Sequence, residues 1–286
     1  MSKTEKQAPV HDMPLTEGHG TDEKMASEVL AMEGVCKSFG KLAAVDGLTM
    51  KISAGEAVAF IGQNGAGKST TMRAIAGLTQ IDGGSVKIMG HAVDEEPLKA
   101  RAHLGYVSQD LELYQFLTGE EFLTLAGRIR GLEKEALSQS IDELIELCGL
   151  QNARNRMIRE YSGGMARKIA MAGALIGKPE LVVLDESFVG LDPESTFKIG
   201  HYLREYVRGG RSILISSHIL EMLYQLCTRF FILHHGKCVA DISREALAKI
   251  CREDPATPDI TSYYLRMTGQ AELIPSIDGL RVVGVE

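Results

Sequence analysis

Four short runs of consecutive apolar residues punctuate the chain: Ala57–Ile61, 104–107, 181–184 and 213–215. Unbroken runs of this length, bounded by turn residues, read as strands buried in a sheet, and the run at 181–184 as one covered on both faces. Each run ends at a residue with chemistry of its own: Gly62, Gln109, Asp185 and His218. Around them the pattern changes. Segments 29–32 and 48–52 read as strands, with Phe39, Gly40 and Lys41 in the loop between them, and the turn Asp82-Gly83-Gly84 introduces another strand at 85–89. Residues 112–160 carry helical spacing instead, first at Phe122, Leu123, Leu125, Ala126 and Ile129, then at Ile141, Leu144, Ile145, Leu147 and Cys148. Further helices are predicted at 71–76, from Ser162 to Gly177, and over 193–207, with a hairpin turn at Gly236-Lys237 and two short helical patterns within 243–268. The expected class is therefore α/β, a mostly parallel sheet with an antiparallel β part at the N-terminal side and an α-helical insertion over 112–160.

Composition narrows this only a little. The 286 residues are 44% hydrophobic and 24% charged, ordinary for a globular chain with a sizeable core. With 31 Lys and Arg against 38 Asp and Glu, the net charge of −7 leaves no basic surplus, so nucleic acid is not expected as a partner. The five cysteines show no C-x-x-C spacing, which suits reduced thiols in a cytoplasm, most of them packed as small hydrophobes. No apolar run reaches the length of a membrane span. Residues 1–26 have no apolar block and read as a flexible tail; 271–286 read as a C-terminal tail, leaving 27–270 as the domain.

The stretch 62–70, Gly62-Gln63-Asn64-Gly65-Ala66-Gly67-Lys68-Ser69-Thr70, changes the picture. A strand, then G-x-x-x-x-G-K-[ST], then a helix is the phosphate-binding loop in its confirming context. Glycines let the backbone turn its N–H groups onto a polyphosphate, and the helix adds its positive N-terminal end. Lys68 supplies an ammonium for the β- and γ-phosphates, and the Ser69 hydroxyl is a hard oxygen suited to Mg²⁺. Asp185 closes an apolar strand, where a P-loop enzyme supports Mg²⁺; Glu186 next to it can orient or deprotonate water. Ser162, Gly163 and Gly164 open a helix, as a flexible helix start or as a second anion site. Gln109 and His218 by themselves read as a loop residue and as a helix cap or core histidine. Their place beyond the carboxyl ends of parallel strands puts both within reach of one ligand.

Together these residues resemble the ATP-binding subunit of an ABC transporter, over residues 28–269. Residues 62–70 match the family's Walker A loop, Gln109 its Q-loop, 181–186 its Walker B strand with the catalytic glutamate, 190–192 its D-loop and His218 its switch histidine. Ser162-Gly163-Gly164 matches the signature motif, and Phe39 stands where the family stacks an aromatic on adenine, core packing being the other reading. Two motifs depart from the common pattern: the signature reads Tyr161-Ser-Gly-Gly-Met165 rather than Leu-Ser-Gly-Gly-Gln, and Ser187-Phe188 follows the catalytic glutamate where Pro-Thr is usual. The resemblance implies a Mg²⁺-dependent ATPase, with Lys68, Glu186 and His218 catalytic and Ser69, Gln109 and Asp185 at the metal. It implies a dimer with a second copy or a homologous ATPase subunit, and an integral membrane permease as partner. The subunit would then be cytoplasmic and peripheral on the inner face of the cell membrane. Segment 104–118 and the turn Leu191-Asp192-Pro193 most resemble exporters whose membrane chain is separate. Tyr114 and Phe116 are candidates for the contact with that chain, core packing explaining them about as well. A non-transport ATPase of the same type, acting in cofactor assembly or on ribosomes or nucleic acid, stays open as the alternative; residues 70–160 show no sustained heptads of the DNA-repair kind.

Overall fold

The apolar runs form the centre of a six-stranded sheet. The computed structural model describes residues 28–273, so the tail expected at 1–26 and most of that expected at 271–286 lie outside the described residues. In chain order the strands are β1 (Glu28–Phe39), β2 (Leu42–Ser53), β3 (Ala57–Ile61), β4 (Gly83–Ile88), β5 (His91–Ala92), β6 (Leu104–Val107), β7 (Leu181–Asp185), β8 (Ser212–Ser216), β9 (Arg229–His234) and β10 (Lys237–Ser243). The helices are α1 (Lys68–Ile75), α2 (Pro97–Ala102), α3 (Gly119–Ile129), α4 (Lys134–Leu147), α5 (Gly163–Leu175), α6 (Pro193–Arg208), α7 (Leu220–Leu226), α8 (Arg244–Glu253) and α9 (Ile260–Met267). The large sheet has the order β10-β9-β3-β8-β7-β6, parallel throughout except for the β9–β10 hairpin. A second, antiparallel sheet has the order β2-β1-β4-β5.

The period-2 geometry of a strand explains how one sheet serves two cores. Ala57, Ala59 and Ile61 of β3, Val182 and Leu184 of β7, and Ile213 and Ile215 of β8 face a core shared with α5, α6 and the helical insertion. The alternate residues Val58, Phe60, Leu181, Val183 and Leu214 face the other core, completed by Leu30, Met32, Leu48 and Ile52 of the antiparallel sheet and by Met72 and Ile75 of α1. Strands β3, β7 and β8 are buried along their whole length, which is why they read as unbroken apolar runs.

The expected insertion is helical as predicted: α3 and α4 lie within it, α3 opening with a capping box in which Thr118 and Glu121 satisfy each other's backbone N–H groups. The cysteines need a correction. All five are free thiols, but only Cys148 and Cys227 are buried; Cys238 is exposed, and Cys36 and Cys251 are half-buried. Ser187 and Phe188, which replace the usual Pro-Thr, are both inside: the Ser187 hydroxyl donates to the Asp185 carbonyl at 3.3 Å, and Phe188 fills the helical-side core.

Candidate functional site

The four strands β3, β6, β7 and β8 run parallel and adjacent, so their carboxyl ends open onto one edge. There a cleft of about 370 Å³ is lined by Phe39, Leu42, Ala44, Gln63, Asn64, Gly65, Gly67, Lys68, Ser69, Thr70, Gln109, Glu186 and His218. Most of the residues singled out from sequence therefore meet in one place. Gly62 and Ala66 lie beneath the loop, and Asp185 beneath the cleft floor at 1% exposure.

The loop is held from behind. Gly67 caps α1 with φ 104°, a left-handed backbone, and a Cβ there would drive into the Ala44 carbonyl oxygen of β2. Ala66 N–H donates to Gln63 O at 3.1 Å, and its carbonyl accepts from Gly236 N–H, also at 3.1 Å. Gly67→Ala is accordingly expected to destabilise the chain by at least the ~1–2 kcal/mol of a left-handed non-glycine residue, and to weaken nucleotide binding about tenfold or more. Thermal unfolding and titration with a fluorescent ATP analogue check this.

Lys68 is buried, with Nζ donating to the carbonyls of Gly62 at 2.6 Å and Gln63 at 3.2 Å. Burial pulls its pKa below the ordinary lysine value, while Glu186 and Asp185 pull it back up. The ammonium hydrogen-bonds only neutral carbonyls, so its donors can turn to a polyphosphate entering the cleft.

At the end of β7 the Asp185 Oδ1 accepts from the Ser216 hydroxyl at 2.7 Å, and the same hydroxyl oxygen accepts from Glu186 N–H at 3.0 Å. Glu186 adopts φ 48°, a left-handed conformation that costs a non-glycine residue about 1–2 kcal/mol. The residue is 4% exposed, and both carboxylate oxygens lack a hydrogen-bond donor. His218 Nε2 stands 3.2 Å from Oε1, but off the direction of a hydrogen bond, so proximity here is not satisfaction. An unpartnered buried carboxylate facing a cleft is poised to accept a proton or a hydrogen bond from something that enters. The side chains of the candidates Ser69, Gln109 and Asp185 all offer oxygen, and Asp185 and Glu186 are neighbouring buried carboxylates; both features fit a hard divalent cation.

His218 is exposed and does not cap α7, whose N-cap is Ile219. Phe39 is 53% exposed at the cleft rim, so it is not a core residue. Its ring carries Lys37 Nζ at 5.4 Å from the centroid. Ser162 caps α5 by accepting from Met165 N–H at 3.3 Å, and Ser162 and Gly163 are exposed outside the cleft lining. Asp192 caps α6, accepting from Ser195 N–H at 2.8 Å and from the Ser195 hydroxyl at 2.6 Å, contacts that hold its carboxyl below the usual range. Tyr114 and Phe116 are 64% and 75% exposed, which removes core packing as their explanation.

Sequence reasoning missed several contributors. Leu42 and Ala44 of β2 complete the cleft wall beside Phe39. Ser216 joins the two carboxylate-bearing positions, and its only sequence signal is a hydroxyl at the carboxyl end of an apolar strand, two residues before His218. Arg167 of α5 donates to the Glu186 carbonyl at 3.2 Å, with no signal beyond its place one helical turn after Gly163.

A family model described as ABC transporter matches residues 45–189. Over 223 residues the chain is 36% identical to the Nod factor export ATP-binding protein I of Rhizobium sp. (strain N33), which spans 78% of this chain and 73% of that protein. It is 35% identical over 215 residues to the daunorubicin/doxorubicin resistance ATP-binding protein DrrA of Streptomyces peucetius, covering 75% of this chain and 65% of that one. Among solved structures, one described as the ATP-binding subunit of an ABC transporter aligns with a TM-score of 0.78 at 30% identity, over 84% of this chain and 99% of that chain.

Proposed function

Because the chain belongs to the ABC transporter family as an ATP-binding, ATP-hydrolysing subunit, we infer that it drives export through a separate membrane-spanning partner, working in pairs. The observation that carries this reading is the convergence of Lys68, Gln109, Glu186 and His218 on one cleft while Ser162 and Gly163 stand exposed outside it. In this reading the base of ATP lies against Phe39, and the N–H groups of 62–70 with Lys68 take the phosphates. Mg²⁺ would be held by Ser69 and Gln109 with Asp185 behind them, supplying charge neutralisation at the phosphates. Glu186 takes the proton of the attacking water, and His218, beside it, holds the terminal phosphate. Residues 162–164 of a second copy, or of a homologous subunit, close the cleft from outside with a second positive helix end.

No helix among the described residues is long and apolar enough to cross a membrane; in this reading, passage through the bilayer falls to another chain. The relatives named for Nod factor export and drug resistance support an exporter. We place this subunit on the inner face of the membrane, held through the insertion at 112–160. There Tyr114 and Phe116 present a bare aromatic pair, with the Arg159 guanidinium 5.6 Å from the Phe116 ring centroid. Crosslinking in native membranes, followed by mass spectrometry, is expected to recover an integral membrane protein. Tyr114→Ala with Phe116→Ala should reduce that yield severalfold while leaving ATP affinity of the isolated subunit within about twofold. Recovery of ribosomal or cytosolic assembly proteins alone would favour the non-transport alternative.

A further inference from the structure

Glu186 is held by its peptide, not by its carboxylate. Its N–H reaches the Ser216 hydroxyl at 3.0 Å from β8, and its carbonyl accepts from Arg167 Nη1 at 3.2 Å from α5 and from Val189 N–H at 3.3 Å in the turn that follows. Between these anchors the residue sits at φ 48°, where an L-residue does not rest unaided. The Ser216 bond is shared with Asp185 Oδ1, so it fixes the strand end as a whole. Arg167 is different: it has no carboxylate partner within salt-bridge distance among the described residues, and its one side-chain hydrogen bond goes to this carbonyl. It also lies four residues after Gly163, on the same face of α5 and one turn from the exposed N-terminus at Ser162.

We propose that Arg167 is a positioning residue for Glu186: it holds the Glu186 carbonyl so that the peptide stays left-handed and the carboxylate stays aimed into the cleft. This rests on the reading of Glu186 as the base. Without the guanidinium the carbonyl keeps only the longer Val189 N–H bond at 3.3 Å, and the strained peptide relaxes toward negative φ, which rotates the side chain away from the position a water would occupy. Because residues 162–164 open α5 one turn before Arg167, the same contact ties the carboxylate of one cleft to the helix that closes the other. Whatever seats that helix on the second copy's nucleotide also sets the first copy's base.

Three variants test this, with Glu186→Gln alongside. Arg167→Met keeps the apolar stem and removes the donor; Arg167→Lys keeps a donor; Arg167→Gln is a second loss of reach. Arg167→Met and Arg167→Gln should lower kcat by about 10- to 100-fold, the scale of an ångström-sized misplacement, with KM and fluorescent-ATP affinity within about twofold of wild type. Arg167→Lys should recover most of kcat. In a Glu186→Gln background, Arg167→Met should lower residual turnover no further, since both lesions strike one step. Wild-type kcat in both Arg167→Met and Arg167→Gln overturns the proposal, as do a loss of ATP affinity matching the loss of kcat, Lys no better than Met, or effects that multiply with Glu186→Gln. If instead Glu186→Gln itself turns over normally, the assignment of the base fails, and that result is separate from any of these.

Discussion

Glu186→Gln is expected to bind ATP with unchanged affinity and to lose turnover by about 10²–10⁴-fold, the usual contribution of a positioned base. The two side chains have the same shape, and Gln can occupy the buried position without an overlap. What changes is proton affinity: the amide cannot take the proton of water. The wild-type carboxylate has both oxygens buried and without a donor, so its capacity to accept is kept in reserve for what enters the cleft. Folding should not suffer, because Gln fills the same volume and no hydrogen bond to the carboxylate is lost. Steady-state phosphate release and ATP titration, measured on the same preparation, separate the two effects. Turnover near wild type would remove Glu186 from the reaction and leave His218 as the nearest alternative, 3.2 Å away.

The second large effect is one of complementation. Lys68→Ala removes the buried cation of one half-site, and Gly163→Asp places a carboxylate at the α5 N-terminus, where a phosphate would have to approach it. Gly163 is the cleaner choice within the motif. A Cβ there meets open space, whereas at Gly164 it would stand 3.1 Å from the Gly190 carbonyl oxygen. Each variant alone should trap no nucleotide. If residues 162–164 close the partner's cleft, a mixed dimer carries both lesions at one site and none at the other. Random mixing in equal amounts should then restore about a quarter of wild-type sites, half the dimers being mixed with one sound site in two. The mixture belongs in a Glu186→Gln background, so that bound ATP persists. Mixed dimers that form but trap nothing would place both motifs in the same cleft.

What could be read from the sequence was what is local. The phosphate loop declares itself because nine consecutive residues make the whole device, and β3, β7 and β8 because burial on both faces leaves only apolar residues between their ends. The carboxyl ends could be paired with the loop because parallel strands share one functional edge. The contacts that act across strands were not legible. Ser216 meets Asp185 only because β8 lies beside β7, and Arg167 meets Glu186 only because α5 packs against the end of β7. Exposure was equally hidden: Phe39, Tyr114 and Phe116 have the composition of core residues and lie open, and three of the five cysteines are not buried. The two-residue β5 and six-residue α2 are too short for a periodic signal.

The backbone of Ala44 lies against Gly67, and the hairpin residue Gly236 donates to the Ala66 carbonyl while its own carbonyl accepts from Asp46 N–H at 2.9 Å. Three segments far apart in the chain thus meet at one seam behind the phosphate loop. A tight β-turn such as His235-Gly236 is ordinarily where a tag, a fluorophore or a whole domain can be spliced in without harm. Here the same turn is the rear wall of the nucleotide cleft. Labels meant to report on this protein belong elsewhere, on the far side of the helical insertion or on α8. Widening of the β9–β10 turn would be felt by the phosphates before it was felt by the fold.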